Sequence, residues 1–254
     1  MKQKIIIANW KMNLSLAESL KLAKKFKEKF KNFSKGEVVV CPPFIVLDEI
    51  SKMLAKTNIK VGAQNVFWEE SGAYTGEISP SMLVEAGTKY VIIGHSERRK
   101  YLLENYSMIH KEIKAVLDVG SLTPIICIGE NWEERKTDRR DFVLDDQMQL
   151  SLGGIDFTSK QQIIIAYEPI WAIGSGNAIE PAEAEYAHKI IKLTLNKMFG
   201  LKAVNNNFRV IYGGSINNKN VGQFSNLEGI DGLLVGGASL DVNMFYKIAK
   251  AILK

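Results

Sequence analysis

The sequence predicts an α/β protein, a (β/α)8 barrel formed as one domain over residues 1–254. Three observations point there. Short β-branched apolar runs alternate eight times with longer amphipathic stretches. Several of those runs are apolar at consecutive positions, which is how a strand covered on both faces reads. No Pro-, Gly- or Ser-rich linker divides the chain, and 254 residues, 46% of them hydrophobic, suffice for one large core. A doubly wound open sheet built from the same units is the rival architecture.

The first strand candidate is Ile5–Ala8. The helix after it carries an apolar stripe of Leu16, Leu20, Ala23, Phe26 and Phe30 at three- and four-residue spacing. Lys21, Lys24, Lys25, Lys27, Lys29 and Lys31, with Glu28, read as its outer face. Val38–Cys41 is the second strand, and the helix around Phe44–Ala55 has the weakest pattern of the set. Lys60–Ala63 is the third. A long aromatic segment, Gln64–Ser79, precedes a helix that opens with Pro80 behind a cap at Ser79. Tyr90–Gly94 is the fourth strand, and Ile109, Ile113 and Val116 mark a helix beyond it. Pro124–Ile128 is the fifth, followed by a ragged helical pattern around Asp141–Leu152. Ile163–Tyr167 is the sixth. Pro181, with Glu183 and Glu185 in a first turn, opens a helix striped by Ala187, Ile191, Leu195 and Met198. Arg209–Tyr212 and Gly232–Val235 complete the strands, and Phe245, Ile248, Ala249 and Ile252 stripe the last helix.

Composition narrows the function classes. The net charge is +5 and the pI about 9.0, yet the lysines are spread over many segments. No zinc-finger spacing, aromatic nucleic-acid-binding run or basic tail accompanies them, so no nucleic-acid partner is expected. Cys41 and Cys127 each lie in an apolar run and read as buried thiols, which fits a reducing compartment. The N-terminal apolar run ends at Asn9 after four residues, too short for a signal-peptide core, and no stretch approaches membrane-spanning length. A cytoplasmic location with no membrane partner is the expectation.

In a barrel, the C-terminal ends of the strands carry the site. Strand one ends in Asn9-Trp10-Lys11, strand four in Gly94-His95-Ser96-Glu97, and strand six in Glu168. Glu168 reads as a general base, His95 as a proton donor or electrophile, Lys11 as a cation for a developing anion, and Asn9 as its orienter. Each has a plainer alternative: a helix cap for His95, ordinary surface for Lys11, a turn for Asn9, and a packed strand end for Glu168. Gly213-Gly214-Ser215 and Gly236-Gly237 end strands seven and eight. Glycine pairs there let backbone N–H groups approach an anion, or they simply make tight turns. After Glu168, the stretch from Pro169 to Asn177 is stiff at its entry, apolar at Ile170–Ile173 and free at Gly174 and Gly176, as a flap closing over a site would be.

These blocks, with Ala73-Tyr74-Thr75-Gly76-Glu77 and Cys127-Ile128-Gly129-Glu130, occur in an order that resembles the triosephosphate isomerase family over the full length. The resemblance implies a homodimer that interconverts dihydroxyacetone phosphate and D-glyceraldehyde 3-phosphate without metal or organic cofactor, in glycolysis and gluconeogenesis. It implies Glu168 as the base and His95 as a neutral electrophile, a pairing for which this family is itself the worked example. Lys11 and Asn9 would stabilise the enediolate, and Glu97 would pair with Lys11. Backbone near Gly174, Ser215, Gly236 and Gly237 would hold the phosphate, the Pro169–Asn177 loop would be the lid, and Thr75 would reach the partner's site near Asn9 and Lys11. Two stretches depart from the family. Ser175 and Asn177 stand where threonine and lysine are common. Asp138-Arg139-Arg140 stands where a glycine and smaller residues are common, which leaves the local helix start, but not the active site, in doubt.

Two other classes compete at this point. One is a different phosphate-binding barrel enzyme, such as an aldolase or a biosynthetic isomerase; a Schiff-base aldolase needs a lysine inside the barrel near the carbonyl, and only Lys11 stands at a strand end of the site. A non-catalytic binding protein that kept the barrel would not need Glu168 and His95. Turnover of glyceraldehyde 3-phosphate separates the three.

Overall fold

The computed structural model describes residues 3–174 and 179–253. Eight parallel strands close into a barrel in chain order: β1 (Ile5–Asn9), β2 (Glu37–Cys41), β3 (Ile59–Ala63), β4 (Tyr90–Ile93), β5 (Thr123–Ile128), β6 (Ile163–Tyr167), β7 (Phe208–Tyr212) and β8 (Gly232–Val235). Each lies within a residue of its expected bounds. Closure depends on one glycine: Ile5 pairs with Gly232, and a Cβ on Gly232 would sit 2.0 Å from the Ile5 carbonyl oxygen. The rival open sheet is therefore excluded.

The helices around the barrel are α1 (Leu16–Lys29), α2 (Leu47–Leu54), α3 (Pro80–Glu85), α4 (Ser96–Tyr101), α5 (Tyr106–Val119), α6 (Trp132–Lys136), α7 (Arg140–Leu152), α8 (Pro181–Phe199), α9 (Leu201–Asn207), α10 (Val221–Phe224) and α11 (Val242–Ile252). Ser79 caps α3 as expected, accepting from the Met82 N–H. One stripe needs correction. Leu16 is exposed, and α1 instead buries Ser19, Leu22, Ala23 and Phe26. A capping box between Ser15 and Glu18 puts Leu16 at the first helical position, turned out to solvent. The start of α7, left in doubt by the sequence, follows a left-handed Asp138 at φ 53° and an Arg139 that gives the helix no side-chain cap.

Two apolar layers follow from strand alternation. Ile6, Ala8, Val38, Val40, Ile163 and Ile165 face the helices. Ile5, Ile7, Val39, Ile92, Ile125, Cys127, Ile164 and Ala166 fill the barrel. The inward row of β1 runs Ile5, Ile7 and then Asn9. Beyond β6 it runs Ile164, Ala166 and then Glu168. The same two-residue period that packs the core thus aims Asn9 and Glu168 into the upper mouth. At the lower end, Arg209 donates to Glu37 at 2.8 Å and the Tyr90 hydroxyl donates to the same carboxylate, so the inward polar groups are paired.

His188 is fully buried on α8, edge-on to Tyr167 at 6.0 Å. Its Nδ1 donates to the Gly229 carbonyl at 3.2 Å, while Nε2 has no partner. Burial pushes its pKa from 6.5 down to about 3. The unfolded chain therefore binds one more proton between those values. Stability is unaffected by His188 above pH 6.5 and falls below it, by about 1.4 kcal/mol per pH unit. Urea unfolding of wild type and His188→Gln from pH 7.5 to 4.5 should show wild type losing ground at that slope. A pH-independent difference would contradict it.

Candidate active site

The C-terminal mouth of the barrel opens into a cavity of about 440 Å³. Asn9, Lys11, His95, Glu168, Gly174, Ser215, Gly236 and Gly237 all line it. Glu97 does not. It sits behind, lining an adjoining groove with Asn9, Lys11 and His95. Thr75 lines neither and is exposed on the Gln64–Ser79 segment. Residues 175–178 lie outside the described residues, so Ser175, Asn177 and the end of the Pro169–Asn177 stretch carry no structural statement. Ile170–Ala172 form a short 3-10 turn at its start.

Glu168 is buried and held by its backbone: its N–H donates to the Ile128 carbonyl at 2.7 Å. β5 can come that close because residue 129 is glycine, where a Cβ would fall 1.7 Å from the Glu168 carbonyl oxygen. Glu168 Oε1 lies 3.1 Å from His95 Nε2, and Oε2 accepts from the Ser96 N–H at 3.2 Å. Burial pushes the carboxyl's pKa up. His95, then Arg99 and the Ser96 N–H, outweigh it and hold the group below the ordinary carboxylate value.

His95 both caps a helix and lines the cavity. Its Nδ1 accepts from the Glu97 N–H at 3.2 Å at the start of α4. A backbone N–H can only donate, so Nδ1 carries no hydrogen and the neutral ring presents Nε2–H to the cavity. The capping role read from sequence is thus what fixes this tautomer.

Lys11 sits in left-handed backbone, φ 52°, a strain of about 1–3 kcal/mol for a side chain of this kind. Both its backbone groups are clamped. Its N–H donates to Asn9 Oδ1 at 3.1 Å, and its carbonyl accepts from Gln64 Nε2 at 3.0 Å. Asn9 therefore makes the turn that was its plainer reading and leaves its amide nitrogen as the group able to donate to a ligand. Lys11 Nζ meets Glu97 Oε1 at 2.5 Å.

Sequence reasoning passed over three supports. Arg99 donates to the Gly94 carbonyl and, at 2.6 Å, to the Cys127 carbonyl, tying the β4 and β5 ends together. Gln147 on α7 clasps Gly129 from both sides, accepting from its N–H at 2.8 Å and donating to its carbonyl at 3.0 Å. Glu130 accepts from the Trp171 indole at 2.9 Å and from the Tyr167 hydroxyl at 3.2 Å. The Gly129-Glu130 pair after β5 was the signal that could have found the last two. Both cysteines are free and buried. Among the described residues, no cluster of three His, Cys, Asp or Glu side chains is placed to hold a metal, and no helix is long and apolar enough to cross a membrane.

Residues 4–252 match the family model described as "Triosephosphate isomerase". A triosephosphate isomerase of Dictyoglomus thermophilum is 45% identical over 99% of this chain and 100% of its own. One from a Thermoanaerobacter species is 44% identical over 98% and 99%. The crystal structure of triosephosphate isomerase from Bartonella henselae superposes with a TM-score of 0.88 at 34% identity, over the whole of both chains.

Proposed function

Since the chain belongs to the triosephosphate isomerase family and interconverts dihydroxyacetone phosphate and D-glyceraldehyde 3-phosphate, we propose that Glu168, His95, Lys11 and Asn9 carry that reaction by proton transfer through an enediolate. The observation behind this reading is the close approach of Glu168 Oε1 and His95 Nε2 in a cavity whose far wall is the glycine loops after β7 and β8. Glu168 takes the proton from the carbon beside the carbonyl. His95 Nε2–H, Lys11 Nζ and the Asn9 amide meet the oxygen on which charge develops, and fixed donors there lower the barrier. Glu168 then returns the proton to the neighbouring carbon. In this structure both its oxygens rest on donors. A substrate oxygen that takes over the His95 N–H frees Oε1, and the carboxylate becomes a stronger base as it leaves that bond. Glu97 holds Lys11 Nζ in place. Gly174, Ser215, Gly236 and Gly237 are the phosphate-side contacts. A coupled assay on glyceraldehyde 3-phosphate tests the reading: purified protein should turn over, and Lys11→Met should lose most of that rate.

The active unit in this reading is a homodimer. The groove beside the cavity, about 400 Å³, joins Asn9, Lys11, His95 and Glu97 to Met12 and Ile45, which are 96% and 72% exposed. Side chains so apolar and so open beside a site mark a contact surface. The Phe67 and Trp68 rings pack together, tilted, with centroids 4.1 Å apart, and Lys111 of the chain's own α5 covers Trp68. The base of the Gln64–Ser79 segment thus folds back on its barrel, while Glu69–Glu77 stand exposed. That tip is the natural occupant of a partner's groove, with Thr75 nearest the partner's Lys11. Thr75→Arg should put an unpaired charge into the contact, favour the monomer and lower activity together. Sedimentation and rate are measured on the same sample, and a fully active monomer would break the link. The reading puts the enzyme in the cytoplasm, in keeping with two free thiols.

A further inference from the structure

Two buried acids behind the site take no part in the chemistry above. Glu104 lies between α4 and α5, and Glu112 lies on α5; they are 4% and 2% exposed. Leu103, just before Glu104, is itself exposed and left-handed at φ 57°, so the chain spends strain to turn Glu104 inward. Arg98 Nε, from α4, donates to Glu104 Oε1 at 2.8 Å. The Glu112 carboxyl lies within hydrogen-bond reach of the Glu104 carboxyl. Yet Glu104 Oε2 and Glu112 Oε2 are both enclosed without a donor. The charged groups facing Glu112 are Glu104, Arg98 of α4 and Glu77 of the segment before α3. One cation stands against two buried carboxyls and a third acid.

Two ionised carboxylates are both acceptors and repel, so neither can satisfy the other. A single proton resolves the conflict, because it turns one acid into a donor. We propose that Glu104 and Glu112 share one proton, with Glu112 the neutral acid that donates to the Arg98-paired carboxylate of Glu104, and that this bond locks α4 onto α5. α4 is the short helix whose start presents His95, Ser96 and Glu97 to the site. The lock does not depend on the catalytic roles assigned to those residues. Burial, then the field of Glu104, pushes the Glu112 pKa up to about 9, in the same direction as the geometry.

The sign of the pH effect follows. A raised folded pKa gives stability that is complete below the ordinary 4.5 and is lost as pH rises towards about 9, because the unfolded chain ionises first. Glu112→Gln supplies a permanent donor that never ionises. Wild type and Glu112→Gln are unfolded in urea at one protein concentration from pH 6 to 10. The ratio of their unfolding constants should shift in favour of the variant by about tenfold per pH unit up to about pH 9, then level. Glu104→Gln removes the acceptor that traps the proton but leaves Glu112 buried, so in that background the tenfold-per-unit shift should stop at a lower pH than in wild type without disappearing. A ratio flat in pH would overturn the proposal. So would a ratio that follows potassium or sodium concentration, since a bound cation would then be holding the pair.

Discussion

Glu168→Gln is expected to fold as wild type does and to lose at least about 10²- to 10⁴-fold in kcat, the usual worth of a positioned acid–base group. The amide occupies the same volume, so the packing between β5 and β7 survives. It can keep one contact in the pocket, as an acceptor for the Ser96 N–H or for His95 Nε2–H. What it lacks is a lone pair basic enough to take a carbon-bound proton. Gly213 packs against one side of Glu168, where a Cβ would fall 3.0 Å from its Cγ, so the variant side chain is held in the same place. Rates measured by the coupled assay, beside circular dichroism to verify folding, decide the matter. A variant that keeps more than roughly a tenth of wild-type kcat would show that Glu168 is not the base, since a group of this kind is worth at least about 10².

Gly237→Glu should leave the fold intact and lose the phosphate. Gly237 opens the short turn Gly237–Leu240 after β8 and lines the cavity. A Cβ there meets nothing within 4 Å, so the added side chain does not collide with the protein. It extends into the space where the ligand's anion would sit. A carboxylate roughly 4–8 Å from an anion costs about 2–4 kcal/mol per charge pair at an effective dielectric constant of about 20. Binding should weaken by at least about tenfold, since each 1.4 kcal/mol is a factor of ten. Calorimetry with glycerol 3-phosphate or inorganic phosphate reads this directly. Unchanged affinity would move the phosphate site away from the β8 loop.

The barrel was legible because a strand covered on both faces leaves a continuous apolar run, and nothing in the chain interrupts that signal. Ile163–Tyr167 and Gly232–Val235 show it, and both match their expected bounds. The helices were less legible where a buried position is polar for a reason of its own. α7 looked ragged because Gln147 sits in its buried stripe, spent on clasping Gly129. Ser19, buried with no partner for its hydroxyl among the described residues, also hid the true face of α1. The weak Phe44–Ala55 pattern resolves into a 3-10 turn, Phe44–Val46, running into α2. The small helices α6, α9 and α10 were missed, since four to seven residues are too few to show a period, and α4 was read only as the helix that His95 caps.

The site divides along the same line. The side chains that meet in the cavity sit at strand ends, so the order of strands in the sequence exposes them. Those that hold the cavity in shape act through backbone groups, as Arg99 does on two carbonyls and Gln64 does on Lys11 and Cys41. A backbone partner has no residue type, and so leaves no trace in sequence. For His95 and Asn9 the plainer readings hold, and they leave the proposed roles open to the same residues. The cap sets the tautomer of His95, and the turn sets the position of Lys11.

The central claim is that a proton leaves the substrate carbon for Glu168 and returns to the neighbouring carbon through an enediolate. The most direct test is the reaction of dihydroxyacetone phosphate in D2O, with product analysed by NMR at low conversion. A base that exchanges its proton with solvent during the intermediate's life places deuterium on carbon 2 of glyceraldehyde 3-phosphate, and Glu168→Gln should abolish that incorporation along with turnover. A Glu168→Gln variant that still forms product, or still incorporates deuterium at carbon 2, at the wild-type rate would contradict the account.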